Sequence, residues 1–109
     1  MDYSQLSDFE INKRVAVALG HSIDGEKYGS ASVGAFHSDG VVYKSHDYCN
    51  NPADAWPIIE SNRIGVMPSE MKTKELWIST SGRGSYSYHE NPLRAAMIVF
   101  LQMQDANNA

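Results

Sequence analysis

The chain has 109 residues, of which 42% are hydrophobic and 20% are charged, and its formal net charge is −4. This length is typical of one domain with its own core, and the composition excludes a disordered chain. The acidic balance disfavours a nucleic-acid groove, because such a groove needs a basic face to displace counterions from phosphates.

The remaining bulk features argue against a secreted or membrane protein. The single cysteine, Cys49, cannot form an internal disulfide. The first residues are polar and lack a basic segment followed by an apolar run, and no apolar stretch reaches the ~18–20 residues that span a bilayer. We therefore expect a cytoplasmic protein with no membrane partner.

A first helix is predicted between Ser7 and Gly20. Ser7 and Glu10 have the spacing of a capping box, in which each side chain accepts a hydrogen bond from the backbone N–H of the other residue. Gly20 is a typical stop. The residues predicted to face the core are Ile11, Val15, Ala18 and Leu19. The residues predicted to face outward are Asn12, Lys13 and Arg14.

An antiparallel hairpin is predicted next. Residues 21–27 are polar and predict a loop. Residues 28–37 and 41–46 have strand-like patterns, and residues 38–40 (Ser-Asp-Gly) between them are a turn signal.

The stretch 46–59 predicts the end of that strand, a tight turn and a short buried helix. Asn51 is a good N-cap and Pro52 suits the first helical position, where its missing N–H costs nothing. Pro57 would remove a bond to the Ala53 carbonyl, so we expect one short, kinked helix that ends near Asn62.

The second half repeats this arrangement. Residues 64–74 predict a loop with room for a short strand at its start, and residues 76–79 and 85–88 predict a hairpin. Asn91 caps a last helix over 92–106 that is apolar nearly all round. Such a helix is buried on several sides. It either forms the centre of the core or pairs with a second copy, so self-association is compatible with the sequence.

The predicted fold is a small α+β domain over residues 1–109, with antiparallel hairpins packed on the apolar last helix, in the order α-ββ-α-ββ-α. Two segments, 28–62 and 76–106, share a hairpin–helix pattern offset by 40 residues (91 − 51). The similarity has two explanations: an internal duplication, or the common use of Asn-Pro to begin a helix. The matching pairs are Tyr48 and Tyr88, Asn51 and Asn91, Pro52 and Pro92, Ala55 and Ala95, and Ile58 and Ile98.

No catalytic or metal-binding set stands out, and no cofactor is implied. His46, Cys49 and His89 could be offered as a metal or enzyme site, but zinc requires several convergent ligands and this spacing supplies no second ligand pair. A cysteine nucleophile would need a lowered pKa and an oriented base, and spacing shows neither. We therefore interpret Cys49 as a small apolar core residue.

The aromatic residues carry the functional prediction. Tyr and Trp dominate protein–protein hot spots, so an exposed subset favours a non-enzymatic module that binds a protein partner. The alternative is single-stranded nucleic acid stacked on the sheet, with Arg83, Lys44 and Tyr86 or Tyr88 as contacts, which the net charge disfavours. The candidate binding residues are Tyr48, Asn50, Trp56, Trp77, Arg83 and Tyr86.

Three strings carry a family resemblance: residues 2–13 (DYSQLSDFEINK), 47–59 (DYCNNPADAWPII) and 91–101 (NPLRAAMIVFL). Together they resemble the NinX-type family of small phage and prophage proteins. The resemblance implies an origin in a lambdoid-type phage or an enterobacterial prophage, and a cytosolic life in the infected cell. It implies no activity and no catalytic residue, because the family is one of unknown function. The genetic neighbourhood from which such proteins take their name holds accessory recombination and regulatory functions. This association favours a host-directed or nucleic-acid-related role.

Overall fold

A computed structural model describes residues 2–20, 22–23, 33–36, 43–70, 75–82 and 84–107. A 3₁₀ turn, Tyr3–Gln5, precedes three helices. The helices are α1 (Asp8–Ala18), α2 (Pro52–Ser61) and α3 (Pro92–Asn107). The strands are β1 (Ser22–Ile23), β2 (Val33–Phe36), β3 (Tyr43–His46), β4 (Gly65–Pro68), β5 (Trp77–Thr80) and β6 (Tyr86–His89).

The strands form two antiparallel sheets, each with its strands in chain order. The first sheet has the order β1-β2-β3 and the second β4-β5-β6. The predicted α+β class is confirmed. The order differs from the predicted one, because each hairpin has a short strand on its leading edge. β1 lies in a segment predicted to be a loop, whereas β4 lies at the start of 64–74, where the sequence left room for a short strand. The turn predicted at residues 38–40 lies outside the described residues.

Helix α3 is the central element of the core. Every residue from Arg94 to Leu101 is buried. The helix packs against α1, α2 and the three strands of the second sheet, which explains why its apolar surface is much wider than one stripe. The apolar surface of α3 is thus buried against other elements of the same chain, and self-association stays a prediction.

Helix α1 begins and ends as predicted but presents a different face to the core. The Ser7 side chain accepts from the Glu10 N–H at 3.2 Å, and Gly20 has a φ of +84°, which favours glycine. Asn12, predicted to face outward, is fully buried, whereas Leu19 is 39% exposed. The buried residues are Ile11, Asn12, Val15 and Ala16, and the exposed ones include Ala18 as well as Leu19. The helix is therefore rotated toward a polar partner that periodicity does not reveal.

Helix α2 accommodates Pro57 within one continuous helical segment. Asn51 caps it by accepting from the Ala53 N–H at 3.0 Å, and Pro52 occupies the first position, as predicted. The helix ends at Ser61, where the Asn62 side chain donates to the Ile58 carbonyl at 2.9 Å. Ala55, Ile58 and Ile59 are buried, so α2 covers the core with one face.

The two halves share an architecture in which a three-stranded antiparallel sheet is followed by a helix with an Asn-Pro start. The halves differ in helix length, with 10 residues in α2 and 16 in α3. The origin of the likeness in a duplication stays a prediction.

Candidate functional site

The N-termini of all three helices meet at the turn that precedes α2. Asn91 does two tasks there. Its side-chain oxygen caps α3 by accepting from the N–H groups of Leu93 (3.0 Å) and Arg94 (3.3 Å). Its amide nitrogen donates to the Cys49 carbonyl at 2.7 Å and to the Asn50 side chain at 2.9 Å. The start of α3 is thus joined to the turn.

Helix α1 is joined to the same turn through Asn12. The Asn12 amide donates to Asp47 at 2.8 Å, and its oxygen accepts from the Cys49 N–H at 3.0 Å. Asn50 lies on the solvent side, where it donates to both Asp47 carboxylate oxygens and to Asp8, each at 3.1 Å. A fully buried amide with both ends engaged fixes the position of α1 relative to the turn.

Arg94 closes the network from within α3. The guanidinium is 7% exposed and donates to the Asp8 carboxylate at 2.6 Å and to the Leu6 carbonyl at 2.6 Å. A longer contact, 3.4 Å, reaches the Ser4 carbonyl. Burial acts to raise the pKa of Asp8, but hydrogen bonds from Arg94 and Asn50 outweigh it, so that the pKa lies below its ordinary 3.8.

Asp54 and His46 hold the other side of the turn. The Asp54 carboxylate accepts from the Asp47 N–H at 3.0 Å and lies 3.1 Å from the His46 Nδ1. The imidazole stacks on the Tyr48 ring with centroids 5.3 Å apart. Tyr48 is 2% exposed, and burial, followed by the nearby Asp54 charge, raises the pKa of its hydroxyl to about 12. Tyr48 is therefore a neutral core residue.

His46, Cys49 and His89, the residues of the metal or enzyme hypothesis, have structural roles in the fold. Cys49 is fully buried, and burial, followed by the Asp8 charge, raises the pKa of its thiol well above the ordinary range. The His89 Nδ1 accepts from the Asn91 N–H at 2.9 Å. Within the described ranges, no group of three or more His, Cys, Asp or Glu side chains is placed to hold a metal ion.

His89 should make the stability depend on pH. Burial, followed by the Arg94 charge, lowers the pKa of His89 below 6.5, and the Nδ1 can accept from Asn91 only while unprotonated. The stability gained above pH ~6.5 should fall as pH drops through the lowered pKa, because the unfolded state then binds more protons. Urea unfolding at several pH values between 7.5 and 5 measures this loss. His89→Gln should have a shallower pH dependence; an unchanged profile would contradict the assignment.

A second feature is the uncovered face of the second sheet. In its register, Met67 lies opposite Ile78, which lies opposite Tyr88, and Tyr86 lies opposite Thr80 on the same side. Met67 is 52% exposed, Tyr86 60% and Tyr88 44%, and the two tyrosine rings meet edge to face with centroids 6.1 Å apart. We call the side chains of Met67, Ile78, Tyr86 and Tyr88 the outer tyrosine face. The opposite side of the sheet, with buried Ser79, packs toward α3.

The predicted binding residues are scattered over the molecule. Trp56 is 57% exposed and lies on α2, not on the sheet that forms the outer tyrosine face. Asn50 is exposed but hydrogen-bonded to Asp8 and Asp47. Trp77 shares the inner side of the sheet with Ser79 and is half-buried. Tyr86 belongs to the outer tyrosine face. Arg83 lies outside the described residues.

Sequence reasoning missed Asp8, Asn12 and Arg94. A signal existed for Arg94, because it is the single charged residue in the apolar run 92–103 and a charge there requires a partner. None existed for Asn12, whose partners Asp47 and Cys49 lie 35 and 37 positions away.

Comparison with known proteins identifies the family of this chain. The family described as "Bacteriophage P22, NinX" matches residues 2–104, nearly the whole chain. This chain belongs to the phage P22 NinX family. None of the curated proteins matches it. Among solved structures, the 2.0 Å crystal structure of a phage protein from Bacillus cereus ATCC 14579 is similar, with a TM-score of 0.68 and 18% identity over 92% of this chain and 89% of that one.

The NinX-family fold thus extends to a phage protein of low sequence identity, and the likeness concerns the fold alone. All three strings that carried the resemblance fall within the matched residues. Each of the three strings contributes two residues to the network: Asp8 and Asn12, Asp47 and Asn50, and Asn91 and Arg94. Within the described residues, no helix is long and apolar enough to cross a membrane.

Proposed function

We propose that this NinX-family protein is a non-enzymatic accessory module that binds a phage or host protein through its outer tyrosine face, in the cytoplasm of the infected bacterial cell. The main support is that Met67, Tyr86 and Tyr88 are exposed on one side of a sheet whose other side packs on the core. Exposed apolar groups gathered on one face are typical of interaction sites.

The chemistry of the face favours a protein. Tyrosine and methionine are enriched at protein interfaces, and tyrosine supplies a large contact area at low entropic cost. No described residue of this face is charged, so a partner would not have to strip water from an unpaired ion.

Nucleic acid is the second candidate, supported by two exposed tyrosines at alternate positions of one strand, onto which bases could stack. The net charge of −4 opposes it, since binding would have to overcome repulsion by the phosphates. Affinity for an oligonucleotide that falls steeply with salt would support this candidate, and salt-independent or absent binding would remove it.

Replacing both tyrosines with threonine should abolish partner capture without unfolding the domain. Threonine keeps a high strand propensity, and substitutions at exposed sites change stability by about 0.5 kcal/mol or less. Loss of two central aromatic anchors should weaken binding by ~30-fold or more. The measurement is a tagged pull-down from phage-infected lysate, with and without nuclease, quantified by mass spectrometry and accompanied by a thermal melt.

Trp56→Ala is the matched control, since Trp56 is an equally exposed aromatic on α2. A partner that survives nuclease, is lost with Tyr86→Thr/Tyr88→Thr and is kept by Trp56→Ala supports the proposal. Loss with Trp56→Ala alone would move the interface to α2. A partner that remains bound to both variants would refute the outer tyrosine face as the interface.

A further inference from the structure

A cleft of about 440 Å³ lies between α1 and the C-terminal part of α3, and it shares no lining residue with the outer tyrosine face. Its buried floor includes Tyr3 (5% exposed) and Leu101 (4%), and Val17, 58% exposed, stands at its edge. The volume falls in the ~300–1,000 Å³ range of small-molecule sites. An apolar floor in an open cleft suits the ring of a small ligand.

Arg14 gives this cleft its polar group. The Arg14 Nε is shielded from solvent and has no hydrogen-bond acceptor among the described residues. The Arg94 Nε also lacks an acceptor, but the two terminal nitrogens of Arg94 donate to a carboxylate at 2.6 Å and to two carbonyls, and Arg14 has no such bonds among the described residues. A guanidinium that is partly withdrawn from water and not paired with a carboxylate keeps N–H donors available for an oxyanion. It binds such a group with paired, charge-assisted hydrogen bonds.

The carboxylates that line the cleft do not form ion pairs with Arg14 among the described residues. Glu10 and Asp105 line the cleft, but neither forms an ion pair with Arg14 among the contacts of the described residues. The Asp105 carboxylate instead accepts the Tyr3 hydroxyl at 2.5 Å. Burial and this bond raise the pKa of Tyr3 to about 12, so the pair is fixed across the neutral range. Lys13 adds a second cation at the exposed side.

We propose that the cleft binds a small molecule in which an oxyanion, either a carboxylate or a phosphate monoester, is joined to an apolar ring. Arg14 holds the oxyanion and Lys13 adds to the local positive field. The ring packs on Leu101 and Val17. Because two carboxylates share the cleft, directed hydrogen bonds from Arg14 rather than a net field provide the selectivity, and high salt weakens binding only in part.

The test is a titration followed by amide NMR, with phenyl phosphate, phenylacetate and uncharged benzyl alcohol as separate probes. Shifts should map to residues 13–18 and 101–105, and at least one anionic probe should bind ~10-fold or more tightly than benzyl alcohol, since charge-assisted hydrogen bonds contribute that much. The anionic probe that binds more tightly shows whether the oxyanion of the ligand is a phosphate or a carboxylate. Equal affinity for all three probes, or shifts elsewhere, would overturn the proposal.

Three variants complete the experiment. Arg14→Gln should reduce the anionic probes to the affinity of benzyl alcohol, whereas Arg63→Gln, at an exposed site on another segment, should change nothing. Val17→Glu places a negative charge at the edge of the cleft at an exposed position, so it should fold normally and weaken anion binding several-fold. Anion binding unaffected by both Arg14→Gln and Val17→Glu would refute the site.

Discussion

Arg94→Met should lower the free energy of unfolding by about 3 kcal/mol, because a buried ion pair would lose one partner and two carbonyls would lose their donor. Asp8 is 34% exposed and can recover some hydration, so much of the loss comes from the carbonyls of Leu6 and Ser4, which lie within reach of the same guanidinium. Methionine fills a similar volume without a donor. Urea unfolding followed by circular dichroism measures the change.

Arg63→Met is the control for the loss of an arginine as such, since Arg63 is exposed and its substitution should cost less than about 0.5 kcal/mol. Asp8→Asn should be milder than Arg94→Met, because the arginine keeps its two carbonyl acceptors. If Arg94→Met unfolds at the same urea concentration as the wild type, Arg94 does not hold the 3₁₀ turn and α1 against α3.

Asn91→Ala should destabilise the protein by about 2–3 kcal/mol, and Asn51→Ala by about 1 kcal/mol, although the two residues occupy equivalent positions in their Asn-Pro helix starts. Both changes remove an N-cap, which costs about 1 kcal/mol. Asn91 alone also donates to the Cys49 carbonyl and the Asn50 side chain, and losing a donor to a buried carbonyl adds about 1–3 kcal/mol. The same unfolding experiment compares the two variants.

Asn91→Asp separates the two contributions at this position. An aspartate keeps the capping oxygen but removes the amide donor. Asn91→Asp should therefore cause the larger part of the loss in unfolding free energy that Asn91→Ala causes. Equal effects of Asn51→Ala and Asn91→Ala would mean that the bridge from α3 to the turn contributes nothing, and that Asn91 acts as a cap alone.

Local signals predicted the helices well. Ser7 accepts from the predicted Glu10 N–H, and Asn51 caps α2 as predicted. The wide apolar surface of α3 correctly indicated burial on several sides. These features depend on residues a few positions apart, so sequence reasoning can reach them. The α+β class follows from the same patterns.

Features that depend on distant partners could not be predicted. Asn12 is polar, so periodicity assigned it to the solvent side, yet its amide is matched by Asp47 and the Cys49 N–H from another part of the chain. The two-residue strand β1 has no pattern of its own and exists through pairing with Ala35 and Phe36. Tertiary partners override local preference in both cases.

The candidate binding residues show the same limit. Tyr48 and Tyr88 match in the sequence repeat, yet Tyr48 is 2% exposed and Tyr88 44%. A tyrosine suits a core and an interface equally well, and tertiary packing decides between them. Tyr48 lies in the turn after β3, within the core, whereas Tyr88 lies on the side of the second sheet that α3 does not cover. Alternation in residues 85–88 correctly put Tyr86 and Tyr88 on one face, but it could not show that this face is the uncovered one.

The most direct test of the proposed function is site-specific photo-crosslinking in phage-infected cells, with p-benzoyl-phenylalanine in place of Tyr86 and, in a second strain, in place of Trp56. Both positions are more than half exposed, with values of 60% and 57%, so an aromatic replacement should fold at either. The proposal predicts one dominant crosslinked protein at position 86, lost when Tyr88→Thr is added, and none at position 56. Absence of a crosslink at position 86, or the same protein crosslinked from position 56 alone, would contradict it.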